Sequence, residues 1–120
     1  MSTILHPVVL LAEDDFLIRL AALDFLEHDG FEVIEACDGA AALTVMRGNS
    51  NIQLLFSDIN MPNLDCVGLA REARRLRPGM GILLTSGQPR PDHLPAGAVF
   101  MEKPYSHTAT TAALRNLLAA

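Results

Sequence analysis

Five short apolar runs recur along this chain, separated by longer amphipathic stretches. This alternation constrains the fold more than any other feature of the sequence. The runs occupy residues 8 to 12, 31 to 36, 53 to 57, 81 to 85 and 98 to 102. Runs without polar alternation, such as Leu54-Leu55-Phe56, suit parallel strands covered on both faces. Between them lie four helical patterns. The first, 15 to 29, places Ile18, Ala22, Phe25 and Leu26 on one stripe and ends at Gly30, a C-terminal cap. Asp38 can cap an alanine-rich second helix that reaches Arg47, ahead of Gly48-Asn49. The third, 66 to 77, turns Cys66, Leu69, Ala70, Ala73 and Leu76 inward and is stopped by Pro78-Gly79. Its Arg71, Glu72, Arg74, Arg75 and Arg77 read as a solvated face that complements the helix dipole. The last, 106 to 119, carries Leu114, Leu117 and Leu118 on its inner side.

Strict alternation with short connections implies a parallel sheet with helices on both faces, because each parallel return needs a right-handed crossover. The expected fold is α/β: a doubly wound, five-stranded, flavodoxin-like sandwich occupying residues 1 to 120 as one domain. Pro89, Pro91 and Pro95 interrupt the connection from the fourth to the fifth strand, so the helix expected there is short or irregular. At 120 residues and 50% hydrophobic content, one core is the natural size. A net charge of -5 disfavours a phosphate backbone as partner, and no apolar run approaches the roughly 18 to 20 residues that span a bilayer. Two cysteines, Cys37 and Cys66, make no disulfide framework and no secretory leader is evident, so a cytoplasmic location is expected.

The charge is uneven. Residues 1 to 60 sum to -8, with Arg19 and Arg47 as their only fixed cations, and the remainder sums to +3. Lys103 is the single lysine. In a doubly wound sheet ligands sit beyond the C-terminal ends of the strands, where strand order reverses. Glu13, Asp14 and Asp15 follow the first strand, Asp58 the third, Thr85 and Ser86 the fourth, and Lys103-Pro104 the fifth. Taken singly, Asp58 is as well explained as a turn residue and the acidic triplet as a helix start. Gathered on one rim, the carboxylates repel one another unless a cation joins them, and hard oxygen ligands are what Mg2+ prefers. With a lysine and a hydroxyl as further donors, an aspartate so neutralised can accept a phosphoryl group.

The string from Ser57-Asp58 through Ile59-Asn60-Met61-Pro62 to Asn63-Leu64-Asp65 resembles the phosphoacceptor loop of two-component response-regulator receiver domains, the CheY-like family. The resemblance extends over essentially the whole chain. It implies Asp58 as phosphoacceptor and Mg2+, or Mn2+ in its place, held by Glu13, Asp14, Asp58 and the backbone carbonyl of Asn60. It further implies Thr85 and Lys103 as phosphoryl-binding residues, Thr85 and Phe100 as the switch pair, Pro104 as a cis-proline, and Tyr105 as a further switch residue. The implied partners are a histidine kinase or histidine phosphotransfer protein and a downstream protein target, with neither nucleic acid nor membrane insertion. Phe16, Leu17, Leu20 and Leu23 exceed what one buried face needs and fit a docking surface on the first helix.

Cys66 stands where the family commonly has glycine, and Gly87 offers no side chain to steer water toward the phosphoryl group. Ser86-Gly87 and Tyr105 resemble a subset of stand-alone receivers from alphaproteobacteria. No output domain is expected after the last helix, which leaves a single-domain regulator or the receiver portion of a hybrid histidine kinase. His6, His28, His93 and His107 lack metal-ligand spacing and are expected to be solvated. The alternatives are a degenerate receiver that binds partners without phosphorylation, and an aspartyl-phosphate phosphatase of the haloacid-dehalogenase type. The latter wants a general-acid aspartate where this chain has Asn60. Beyond self-catalysed phosphoryl uptake and loss, no enzymatic activity is expected.

Overall fold

The computed structural model describes residues 6–49, 51–59, 66–89 and 94–119. Its elements are β1 (Val8–Ala12), α1 (Phe16–His28), β2 (Glu32–Ala36), α2 (Gly39–Gly48), β3 (Leu54–Asp58), α3 (Cys66–Leu76), β4 (Gly81–Ser86), β5 (Val99–Glu102) and α4 (His107–Ala119). The strands form one sheet in the order β2-β1-β3-β4-β5, and every pairing is parallel. The order reverses between β1 and β3, which puts the binding crevice at their C-terminal ends.

Alternate residues of each strand feed opposite faces. Leu10, Leu55, Ile82 and Leu84 pack with Ala42 and Met46 of α2 and Leu69, Ala70 and Ala73 of α3. Val9, Leu11, Phe56 and Leu83 pack with Ala22, Phe25 and Leu26 of α1 and Leu114 of α4. Thus α2 and α3 cover one face and α1 and α4 the other. Buried β1, β3 and β4 are apolar throughout their inner runs, whereas edge strands β2 and β5 are partly open. At Gly81, where β4 begins beneath α4, an added Cβ would stand 2.6 Å from Leu54 Cδ2 and 2.8 Å from Leu117 Cβ, so glycine permits the close approach.

The caps follow the sequence. Asp15 accepts from Leu17 and Ile18 N–H at 3.0 and 3.1 Å, and Asp38 accepts from Ala41 N–H at 2.7 Å. Gly30, at φ 94°, supplies the left-handed residue that ends α1. Between β4 and β5, residues 87–89 and 94–98 carry no helix.

Several local expectations change. Two arginines of this stretch, Arg74 and Arg77, are tertiary staples, while Arg71 and Arg75 stay exposed as read. Arg74 Nη1 donates to the carbonyls of Pro78 and Met80 at 2.8 and 2.7 Å, and Arg77 Nη2 donates to Met46 at 2.7 Å and also to Asn49. Carbonyls at a helix end and in the turn before β4 have no ladder partners, and a guanidinium fork reaches two at once. Arg75 keeps a surface pair with Glu72. Leu76, the last residue of α3, is exposed. Leu23 packs against the core and leaves Phe16, Leu17 and Leu20 as the exposed large apolar residues of α1. Cys37 lies beyond β2 and is exposed. His6 hydrogen-bonds the Gly30 carbonyl, and His107 stacks on Phe25 with centroids 4.3 Å apart, so neither ring is simply solvated.

Candidate functional site

The rim between β1 and β3 gathers residues from three strand ends. Glu13 follows β1, and its N–H continues the ladder by donating to the Ala36 carbonyl at 3.1 Å. Asp58 closes β3 opposite Thr85 of β4, while Lys103 follows β5 and its N–H donates to the Ser86 carbonyl at 2.8 Å. Carboxylate oxygens of Glu13, Asp14 and Asp58 all lie within 4.8 Å of one another. Glu13 and Asp58 are buried, at 3% and 6% exposure, and Asp14 is open to solvent. Lys103 Nζ bonds Glu13 Oε1 at 2.9 Å and lies 3.3 Å from Asp58 Oδ2. Glu13 and Asp58 therefore share one ammonium with Asp14 close by, an excess of negative charge in a half-buried crevice where screening is weak. Their oxygens are the hard, closely spaced donors that suit Mg2+, with Asp14 facing the solvent from which an ion and its waters would come.

Thr85 is buried beside Asp58 in the ladder. Phe100 packs on the α2/α3 face, whereas Tyr105 lies on the other face, edge-on to Phe56 at 5.6 Å and to Phe25 at 6.5 Å. The two aromatics read as switch residues are thus separated by the sheet. The Lys103-Pro104 peptide is cis. Asn60, whose carbonyl is the remaining expected ligand, lies outside the described residues.

Burial pushes the Glu13 carboxyl above its ordinary value, and the nearby Asp58 charge adds to this; hydrogen bonds from Lys103 and the Asp15 N–H only partly offset it. Burial alone would lower the Lys103 pKa, but its hydrogen bond to Glu13 and the charges of Glu13 and Asp58 outweigh that and raise it. Burial, followed by the Glu13 charge, pushes the Tyr105 phenol up to about 12, so it stays neutral at physiological pH.

A pH-dependent effect follows for Glu13. With its folded pKa above the ordinary 4.5, the unfolded chain releases this proton first, and stability is lost as pH rises through the folded value. Glu13→Gln lacks this loss. Its stability relative to the wild type is expected to climb from pH 4 to pH 7 in urea unfolding; a relative stability that falls over that range would mean the Lys103 pair outweighs burial.

The sequence did not single out Arg19. Its Nη1 donates to the Glu13 carbonyl at 2.8 Å, and its Nε pairs with Glu35 at 3.2 Å. Its status as one of two fixed cations in an acidic half was the available signal.

The five-stranded 2-1-3-4-5 parallel sheet thus carries a carboxylate cluster and a lysine at its switch point, where doubly wound folds bind their ligands. The chain matches the response regulator receiver domain family over residues 9–115 and belongs to that family. It is 34% identical over 104 residues to the sensor kinase CckA of Brucella abortus, covering 82% of this chain and 11% of the kinase. It is 35% identical over 79 residues to the receiver protein CpdR of the same species, covering 66% of this chain and 65% of that protein. The crystal structure of a response regulator receiver protein from Sinorhizobium medicae superposes with a TM-score of 0.90 at 27% identity, covering 98% of both chains. The curated relatives are longer than the region matched: this chain spans 48% of ArcA from Escherichia coli. No helix among the described residues is long and apolar enough to cross a membrane.

Proposed function

We propose that residues 1 to 120 form one receiver domain that takes a phosphoryl group onto Asp58 in a Mg2+-dependent reaction and thereby switches a protein-binding surface. The observation that carries this reading is the convergence of three carboxylates within 4.8 Å with Lys103 bound between Glu13 and Asp58. Glu13, Asp14 and Asp58 would hold the ion, with the Asn60 carbonyl as a further ligand. When bound, Mg2+ supplies the positive charge that lets an anionic phosphoryl group approach an aspartate.

An Asp58 carboxylate oxygen forms the new P–O bond while the P–N bond to a phosphohistidine breaks. The imidazole keeps that electron pair and takes up a proton. Lys103 and the Thr85 hydroxyl would serve as donors to the phosphoryl oxygens, and the resulting dianion would draw them inward. Phe100 and Tyr105, on opposite faces of the sheet, are the residues through which the change would reach the surface.

The partners are a histidine kinase or phosphotransfer protein, in the cytoplasm, and a downstream protein. An apolar groove of about 450 Å³ between α1 and the segment after β5, lined by Leu17, Ile18, Ala22, Phe25, Tyr105 and His107, supports docking of a partner helix there. Phe16, Leu17 and Leu20 extend the apolar surface outward.

Incubation with a small-molecule phosphodonor, read by intact mass, tests the proposal. A Mg2+-dependent phosphoryl adduct is expected, and its absence with Mg2+ bound would turn the reading to a phosphorylation-independent binding domain. Lys103→Met frees Glu13 and Asp58 from their shared ammonium, so its Mg2+ affinity is expected to be no weaker than wild type. Its phosphoryl uptake should fall by about a hundredfold or more, the scale of losing one charge-stabilising donor. Equal uptake would remove Lys103 from the mechanism.

A further inference from the structure

We infer that Arg19 is a positioning residue for the acidic pair that would hold Mg2+, an inference that rests on the metal reading above. The strand ladders of β1 run to Ala12, with Glu13 N–H as the last bond to β2. The Glu13 carbonyl lies just beyond and belongs to the peptide plane that joins Glu13 to Asp14. Because that plane is rigid and spans the two Cα atoms, holding its oxygen restrains the torsions on which the placement of both side chains depends.

Arg19 fixes it. Its Nη1 donates to the Glu13 oxygen at 2.8 Å, and its side chain is only 16% exposed. Its Nε pairs with Glu35 of β2 at 3.2 Å, and its guanidinium carbon lies 5.6 Å from the Phe16 ring centroid. The guanidinium is thus oriented by β2 before it reaches the turn, and a planar fork transmits that orientation as a point charge would not. From the other side, Asp15 N–H donates to Glu13 Oε2 at 3.1 Å. The backbone and side chain of Glu13 are therefore held separately, one by Arg19 and the other by the turn and Lys103.

The sign of the effect separates positioning from charge. A cation beside a divalent-ion site repels the ion, so if Arg19 acted only through its charge, Arg19→Met would tighten Mg2+ binding. If Arg19 positions the pair, the same change weakens binding by about tenfold, as losses of groups behind metal ligands do.

The experiment is a Mg2+ titration of the full chain, followed by backbone amide shifts, for wild type, Arg19→Met, Arg19→Lys and Glu35→Gln, with urea unfolding of each to separate lost affinity from lost fold. Arg19→Met should bind Mg2+ about tenfold more weakly while still folded, and Arg19→Lys should fall between it and wild type. Glu35→Gln, which leaves the Glu13 contact in place, should lose less than Arg19→Met. Wild-type or tighter affinity in Arg19→Met overturns the role of Arg19 alone. Should that variant not fold, Arg19→Lys carries the same decision, and affinity equal to wild type overturns the role. A wild-type chain with no Mg2+-dependent shifts overturns the metal reading and this inference together.

Discussion

Asp58→Asn is expected to abolish Mg2+-dependent phosphoryl uptake while leaving the domain folded. The substitution is nearly isosteric, but an amide oxygen is a poor nucleophile and removes one of the three charges that would hold the ion. Two opposed terms bear on stability. The 3.3 Å approach of Lys103 to Asp58 is lost, yet Lys103 keeps its 2.9 Å bond to Glu13 and the repulsion between Asp58 and Glu13 is relieved. Because Lys103 keeps Glu13 as a partner, the change leaves no buried charge without a counter-ion, and the domain is expected to stay folded. Intact mass after phosphodonor treatment and a urea melt decide both points. An adduct that persists in the variant places the acceptor elsewhere, and a collapse of the fold would make Asp58 a structural residue first.

Phe56→Ala should be the most destabilising single change near the site. Phe56 is 1% exposed on β3, two residues before Asp58, and packs with Leu11, Leu83 and Leu114 beneath the edge-on ring of Tyr105. Truncating a buried phenylalanine costs about 3–5 kcal/mol, from lost transfer energy and from the cavity left behind. Against a total of about 5–15 kcal/mol for a domain of this kind, that is a large share. Phe56→Leu, which keeps most of the volume, should lose less than about 1.5 kcal/mol. Urea midpoints of the pair test the packing. A loss below about 1.5 kcal/mol in the alanine variant would show that Tyr105 and α1 settle into the gap. If they do settle, the groove beside Tyr105 changes shape, and docking of a partner on α1 should weaken with it.

Much of the fold is legible in local patterns. Leu54-Leu55-Phe56 is apolar without alternation because β3 is covered on both faces, and Asp15, Gly30 and Asp38 mark helix ends because each satisfies orphan backbone groups or adopts a left-handed turn. The rim could be assembled from the sequence for the same reason. In a parallel sheet the residues at and just after the C-terminal end of each strand fall on one edge, so Glu13, Asp14, Asp58, Thr85 and Lys103 had to share that edge once the five runs were read as parallel strands. Arg71 and Arg75 are exposed as read, but Arg74 and Arg77 misled, because a charged stripe on a helix looks the same whether it faces water or stray carbonyls. Arg74 and Arg77 find theirs in Pro78, Met80 and Met46, the last 31 residues away.

Apolar periodicity, caps and breakers are local properties, and by themselves they determined the elements, their parallel sense and which residues share the rim. The tertiary structure alone decided the pairings. Lys103 joins a glutamate 90 residues earlier in the chain, Arg19 reaches back to the carbonyl between the two acidic residues, and Phe100 and Tyr105 fall on opposite faces of one sheet. Such choices depend on strand order and on which buried polar groups still lack a partner, and neither is expressed in the spacing of residues along a segment.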